Sequence, residues 1–195
     1  MLDAWVHGWT ISRNTPAPVQ LQGGYRIDVG LPGHAVRYVL HAYDAELVDG
    51  LRRPDTWLKI SGEVALDARW EVQPREYLMA SRLSPAPATV PPAYELTHRR
   101  RGAIVEATVT AADGSVAASG KAALTGDSAV FDQIETSPQH RRRGLGRSVM
   151  TALSSAAQYA GATTGVLVAT EDGRALYTAL GWTLRAPMTA AVSRG

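Results

Sequence analysis

The stretch that most constrains what this chain can fold into is residues 131–150, FDQIETSPQHRRRGLGRSVM. Its apolar first part has the character of a strand, and Pro138 ends that strand because proline cannot donate to a ladder. Gly144 and Gly146 then bracket Leu145, where a helix is predicted to begin. The stretch therefore predicts a strand, a basic turn and the start of a helix, in that order.

The predicted helix start has the properties of an anion-binding site. A helix start leaves about four backbone N–H groups without partners and carries the positive end of the helix dipole. Glycine lacks the Cβ atom that would keep a ligand away from those groups. Arginine adds positive charge around the same turn, at Arg141, Arg142, Arg143 and Arg147. These features together predict a site suited to phosphate.

The spacing of the glycines matches neither the Rossmann pattern G-x-G-x-x-G nor the P-loop pattern that ends in G-K-[ST]. Residues 141–146, RRRGLG, fit R/Q-x-x-G-x-G/A instead. A second motif, ALYTALGW, follows at residues 175–182. The first resembles the acyl-CoA pyrophosphate loop of the GNAT superfamily of N-acetyltransferases. The second resembles the L-Y-x-x-L-G-F/W segment that this family carries about one strand and one helix later.

The elements around the two motifs follow the order found in a GNAT domain. Residues 103–110, 116–124 and 129–136 predict three consecutive antiparallel strands, the first two joined by an Asp-Gly turn. After the loop come an amphipathic helix and the apolar run 165–169, which fits a strand buried on both faces. The resemblance covers residues 95–195. It implies an α/β fold with a mixed, mostly antiparallel central sheet and flanking helices, complete around the CoA loop in the C-terminal half.

The proline-rich segment 84–92, SPAPATVPP, predicts an extended linker because it cannot form a regular helix or a central strand. It separates an N-terminal region, 1–83, from a catalytic domain, 93–195. A full GNAT domain has one or two helices between its first two strands, and no room for them exists after the linker. We expect residues 1–83 either to supply this missing wall or to form a degenerate GNAT-like half. Residues 1–20, with Trp5 and Trp9, predict a pinned terminal segment or an aromatic lip over an acceptor site.

The resemblance implies a location for acetyl-CoA between the strand of residues 129–136 and the strand of residues 165–169. Backbone groups of the first strand would bond the pantetheine arm, and backbone N–H groups of the loop would hold the diphosphate. Thr170 stands where many family members have asparagine. The cofactor-binding residues implied in this way are Ile134, Glu135, Thr136, Arg141, Arg142, Arg143, Gly144, Leu145, Gly146, Arg147 and Thr170.

The resemblance also implies a reaction in which an amine attacks the thioester directly in a ternary complex. That reaction needs a neutral amine, a polarised carbonyl and a proton for the leaving thiolate. Tyr177 stands where the family places the general acid, and a phenol with a pKa near 10 stays protonated at neutral pH. The alternative is a core tyrosine with its hydroxyl bonded elsewhere. Asp132 or Glu135 is the candidate base, and a water chain is the alternative to both.

Composition excludes several other classes of protein. The chain has no cysteine, which excludes disulfides, thiolate metal sites and a cysteine nucleophile. The five histidines show no metal-ligand spacing, so no metal is expected. No apolar run is long enough for a membrane span and the N-terminus is unlike a signal peptide, so a cytoplasmic location is the default expectation. The small net charge of +2 argues against nucleic-acid binding through the arginine triads 99–101 and 141–143.

The sequence thus predicts an N-acetyltransferase that moves an acetyl group from acetyl-CoA to a primary amine on a small molecule or a protein. The alternative is a non-catalytic acyl-CoA-binding module with a role in sensing or assembly. We expect a monomer or a homodimer, with no membrane or nucleic-acid partner.

Overall fold

The structure is a computed structural model that describes residues 1–193. Its helices are α1 (Leu2–Arg13), α2 (Ala45–Gly50), α3 (Leu145–Tyr159) and α4 (Glu171–Ala179). Its strands are β1 (Val19–Leu21), β2 (Gly24–Leu31), β3 (His34–Leu40), β4 (Thr56–Ser61), β5 (Trp70–Val72), β6 (Glu76–Arg82), β7 (Tyr94–Arg101), β8 (Ile104–Ala111), β9 (Val116–Thr125), β10 (Ser128–Thr136), β11 (Thr164–Thr170) and β12 (Thr183–Ser193).

All twelve of these strands belong to one sheet. Its order is β1-β2-β3-β4-β12-β6-β11-β10-β9-β8-β7, and β5 pairs with β12 beside this path. Only the pairs β3–β4 and β10–β11 are parallel, and the other pairs are antiparallel. The predicted α/β fold with a mixed, mostly antiparallel sheet is confirmed.

The two halves of the chain exchange strands across the middle of the sheet. Strand β6, which precedes the linker, pairs with β11 from the second half. Strand β12 pairs with β6 over its first part and with β4 over its second part. Strand β12 is one strand, with an irregularity between Leu184 and Ala186. The segments on either side of the linker therefore share one sheet.

Helix α1 covers one face of the sheet, where it packs against β9, β10 and β11. Its buried side chains Leu2, Trp5, Val6 and Trp9 recur every three to four residues, which is the stripe of an amphipathic helix. They form one core with strand residues that include Val130 and Val166. Residues 2–13, predicted as a pinned terminal segment or an aromatic lip, are thus a packed helix.

Helices α3 and α4 cover the opposite face. Leu145, Val149 and Leu153 of α3 are buried, as their spacing predicts. They pack in a second core with Phe131 of β10, and that core also contains Trp182, whose ring lies edge-on to Phe131 at 5.0 Å. None of the helices within residues 1–193 is both long enough and apolar enough to cross a membrane.

The linker 84–92 contains no helix or strand, as predicted. It lies along α3 and is held there by two serines of that helix. The Ser155 hydroxyl accepts from the Ala86 N–H at 2.9 Å and donates to the Ala86 carbonyl at 2.8 Å. The Ser148 hydroxyl donates to the Thr89 carbonyl. These bonds replace the ladder bonds that a proline-rich segment cannot make.

The close contact between α1 and β10 predicts a large effect of one added methyl group. A Cβ atom at Gly8 would lie 2.3 Å from Cγ2 and 2.4 Å from Cβ of Val130, which is buried and cannot move aside. We expect Gly8→Ala to lower the free energy of unfolding by about 1–3 kcal/mol, the usual cost of overpacking. Urea denaturation followed by tryptophan fluorescence measures this change.

Gly50→Ala is the matched control, because no atom lies within 4 Å of a Cβ atom at that helical position. Alanine favours helix over glycine, so this variant should be as stable as the parent or slightly more stable. Equal unfolding midpoints for the two variants would contradict the packing of α1 on β10.

Candidate active site

The central strands β10 and β11 are paired over only a short length. Their parallel ladder joins Ser128–Val130 to Thr164–Val166 and ends there. Beyond that point β10 stays paired with β9 as far as Thr136, and β11 stays paired with β6 as far as Thr170. The facing edges of the two strands therefore carry backbone N–H and C=O groups without a ladder partner. A cleft opens between them.

A bulge in β10 lies at the point where the strands separate. Gln133 has a φ of 55°, and the register against β9 shifts between Asp132 and Glu135. An extra residue in one strand bends it and increases its twist. The bulge therefore accounts for the turn of β10 away from β11.

The cleft has a volume of about 930 Å³. Its walls are residues 131–136 of β10, residues 168–170 of β11, the loop after β10 and the first turns of α3 and α4. The predicted site residues that line it are Asp132, Ile134, Glu135, Thr136, Arg141, Arg142, Gly146, Thr170 and Tyr177. One cavity thus contains residues from both sequence motifs.

The start of α3 presents a row of backbone donors. The N–H groups from Arg142 to Arg147 bond to no acceptor within residues 1–193, and the Ser148 N–H is the first to bond, to the Gly144 carbonyl. Arg142 and Gly144 have left-handed backbone, with φ of 63° and 78°. Left-handed residues within a turn point successive N–H groups into one concavity, which favours an anion. The positive end of the α3 dipole adds to this preference.

The side chains of the basic loop point in different directions. Arg141 donates to the Thr136 carbonyl at 3.3 Å, and Arg142 has no hydrogen bond within the described chain. Both line the cleft. Arg143 donates to the Tyr94 hydroxyl at 2.6 Å and Arg147 to the Ala179 carbonyl at 3.5 Å, and neither lines it. Gly144 and Leu145 also do not line it, because Leu145 is buried in the core under α3.

Tyr177 projects from α4 into the cleft and is 8% exposed. Its ring packs against Trp182, with the ring centres 6.1 Å apart. Its ring belongs to the core under α3, as the alternative of a core tyrosine expects, but its hydroxyl makes no hydrogen bond within residues 1–193. Burial, and to a smaller extent the negative charge of Asp132, raise the pKa of Tyr177 to about 12. The phenol is therefore a protonated donor at neutral pH.

Asp132 is already engaged by the end of α1. Its carboxylate accepts two bonds from Arg13, at 2.6 and 3.0 Å, and one from the Ser12 hydroxyl at 2.6 Å. Burial by itself raises the pKa of Asp132, but these hydrogen bonds and the Arg13 charge outweigh burial and hold the pKa below its usual value. A carboxylate stabilised in this way is a weak base. The structure therefore argues against Asp132 as the general base, and Glu135, exposed on the same wall, is the other candidate.

Thr170 and Glu171 form the mouth of the cleft at the start of α4. The Thr170 hydroxyl oxygen accepts from the Gly173 N–H at 3.2 Å and so caps the helix. Its hydroxyl proton stays available for a ligand. The Glu171 carboxylate accepts from the Tyr77 hydroxyl of β6, and Arg174 lies 4.4 Å from the centre of the Tyr77 ring.

Sequence reasoning missed Tyr77, Glu171, Ser12 and Arg13 as residues of this site. Tyr77 lies in a stretch of the sequence whose apolar residues suit a strand and a helix alike. The Arg13–Asp132 contact joins residues 119 apart in the chain, and no local pattern indicates such a pair.

Known proteins share the fold of this chain and part of its sequence pattern. Residues 111–190 match the family described as FR47-like protein. No curated protein matches the sequence significantly. The fold is similar to that of a GCN5-related N-acetyltransferase from Kribbella flavida, with a TM-score of 0.67 and 14% identity over 100% of this chain and 94% of that one.

Two further structures have a similar fold. One is a putative acetyltransferase of the GNAT family from Novosphingobium aromaticivorans, with a TM-score of 0.65 and 18% identity over 100% of this chain and 99% of that one. The other is a tandem GNAT protein from the clavulanic acid biosynthesis pathway, with a TM-score of 0.55 and 12% identity over 88% of this chain and 78% of that one. The chain therefore has the fold of the GNAT superfamily of N-acetyltransferases.

Proposed function

We propose that this protein transfers an acetyl group from acetyl-CoA to a primary amine. The observation that carries the proposal is the junction of two features. An open-edged cleft between β10 and β11 leads to the row of free N–H groups from Arg142 to Arg147. The first feature suits an extended polyamide arm and the second suits a diphosphate, and acyl-CoA contains both in that order.

The pantetheine arm would bind along the free edge of β10 as an additional strand does. Residues 134–136 are paired with β9 on one side only, so their other edge can bond the amides of the arm. The diphosphate would accept from the backbone N–H groups at the start of α3. With its two ends held in this way, the thioester would lie near Tyr177, deeper in the same cleft.

In the proposed reaction a C–N bond replaces the C–S bond of the thioester. The amine nitrogen attacks the thioester carbonyl, the C–N bond forms, the C–S bond breaks, and one proton passes from the nitrogen to the sulfur. Tyr177 would donate a hydrogen bond to the sulfur as negative charge develops there. Because the pKa of Tyr177 is above that of a thiol near 8.5, a proton that Tyr177 gives to the sulfur has to be replaced, and the one proton lost by the amine, relayed by Glu135 or water, replaces it. Glu135 can take the amine proton, directly or through water.

The loop makes the first test of this proposal. Gly144 has a φ of 78°, so Gly144→Val should force the backbone out of its left-handed conformation and misdirect the donors beside it. We expect the affinity for acetyl-CoA, measured by calorimetric titration, to fall about 10-fold or more, since charge-assisted bonds contribute about 1.5–3 kcal/mol each.

Gly23→Val is the matched control for the loop variant. Gly23 has a φ of 84°, has open space around its Cβ position and lies in the β1–β2 turn at the far edge of the sheet. It should carry a similar backbone strain and leave acetyl-CoA affinity unchanged. Unchanged affinity in Gly144→Val would contradict the diphosphate site.

Removing the Tyr177 hydroxyl makes the second test. Tyr177→Phe keeps the packing against Trp182 and removes only the donor, so we expect kcat for CoA release to fall about 100-fold with little change in KM. Tyr159→Phe is the control, because Tyr159 is 79% exposed at the end of α3. Full activity of Tyr177→Phe would show that the hydroxyl has no part in the reaction. Saturable acetyl-CoA binding without turnover by the parent protein would favour the non-catalytic binding module.

A further inference from the structure

A buried arginine on the α1 face of the sheet has no carboxylate partner within residues 1–193. Arg37 of β3 is 9% exposed and forms no ion pair within the described residues. Lys59, the other buried cation on this face, is paired with Glu76, and Arg13, whose side chain is 40% exposed, is paired with Asp132. Arg37 therefore leaves one positive charge uncompensated in a dry environment, and an unpaired buried charge costs several kcal/mol.

The neighbours of Arg37 solvate its charge without neutralising it. Its Nε donates to Nε2 of His34 at 3.2 Å. Burial and the surrounding positive charges lower the pKa of His34 to about 4, so that ring is neutral at physiological pH. The guanidinium lies 4.2 Å from the centre of the Trp9 ring and 5.8 Å from that of Trp57. The two terminal nitrogens of the guanidinium bond to no acceptor within residues 1–193.

A continuous series of contacts connects Arg37 to the cleft. Trp9 contacts both Arg37 and Arg13, whose guanidinium groups are 4.2 and 5.8 Å from the centre of its ring. Arg13 bonds to Asp132, and Asp132 lines the cleft. The free N–H groups of α3 lie on the opposite side of the sheet. If acetyl-CoA enters from the α3 side, the acceptor approaches the thioester from the side of Arg37.

We propose that the acceptor amine carries a carboxylate and that the guanidinium of Arg37 binds this carboxylate. This inference rests on the proposed N-acetyltransferase function and names the substrate class of the same site. A guanidinium offers two parallel N–H groups that match the two oxygens of a carboxylate, and the pair is strongest where water is excluded. Trp9 and Trp57 border the guanidinium and restrict its orientation.

The charges on this face also limit how much negative charge the acceptor can carry. Lys59 and Arg13 are occupied by Glu76 and Asp132, so one cation is free to be neutralised. A single carboxylate balances it, whereas a polyanion would leave excess negative charge beside Asp132 and Glu76. The acceptor class is therefore an amino acid or a similar amine with one free carboxylate near its nitrogen.

Matched acceptor pairs test this assignment. The panel consists of the common α-amino acids and β-alanine, each beside its own primary amide, with acetyl-CoA as donor and CoA release as the readout. For at least one pair, kcat/KM of the parent protein should be about 10- to 100-fold higher for the carboxylate than for the amide, the range expected for a charge-assisted bond. In Arg37→Gln this ratio should fall to about one through loss of activity on the carboxylate.

Two controls separate a binding role for Arg37 from a structural role. Removing an unpaired buried charge often leaves stability unchanged or improved, so Arg37→Gln should keep the unfolding temperature and the acetyl-CoA affinity of the parent. Arg37→Lys keeps the charge without the paired N–H groups and should show an intermediate ratio. Arg26→Gln, an exposed arginine on β2 that pairs with Asp28, should leave the ratio unchanged.

Binding is measured separately, by tryptophan fluorescence in the presence of CoA, because Trp9 and Trp57 border Arg37. A saturable change is expected with the preferred amino acid and should be lost in Arg37→Gln. Two results would overturn the inference. In the first, the parent protein binds acetyl-CoA but neither binds any of the amino acids nor prefers one over its amide. In the second, Arg37→Gln keeps the parent protein's preference for the carboxylate over the amide. Failure of the parent protein to bind acetyl-CoA would instead overturn the proposed function.

Discussion

The short parallel pairing of β10 with β11 is the constraint on which the rest of the molecule depends. These two strands pair over Ser128–Val130 and Thr164–Val166 and then separate. Their separation leaves backbone polar groups unpaired in the middle of the sheet. Unpaired backbone groups are costly unless water or a ligand reaches them. The separation persists because each strand is fixed on its outer edge, β10 by β9 and β11 by β6. The cleft is therefore a property of the whole sheet.

The N-terminal segment contributes directly to this cleft, although both recognisable motifs lie after the linker. Strand β6 holds β11 in place and brings Tyr77 to Glu171 at the mouth. Helix α1 covers the other face and fixes Asp132 through Arg13. The strand exchange fixes β6 and the rest of the first half in place, because β12 from the second half lies between β6 and β4 and pairs with both. The first half thus shapes one side of a cleft whose other side, with both motifs, belongs to the second half.

Features governed by local chemistry were predictable from the sequence. The Asp-Gly turn, the glycine start of α3 and the buried strand β11 all follow from residues that are adjacent or one turn apart. Features governed by distant pairing were not predictable. The insertion of β6, the single long β12 and the Arg13–Asp132 bond depend on residues far apart in the chain. Helix α1 was missed because its two tryptophans also suit a pinned terminal segment, and only packing on Val130 shows that they face one core.

The two faces of the cleft use different kinds of positive potential. On the α3 side the potential comes from backbone dipoles that are exposed to the cleft, which suits a ligand that binds and leaves in each cycle. On the α1 side it comes from the guanidinium groups of Arg13 and Arg37, which both lie against the Trp9 ring. Asp132 lies between the two. Arg13 keeps Asp132 ionised, and the Asp132 charge in turn adds to the effect of burial on the pKa of Tyr177. Helix α1 therefore acts on the candidate proton donor without contacting it, by keeping a neighbouring carboxylate negative.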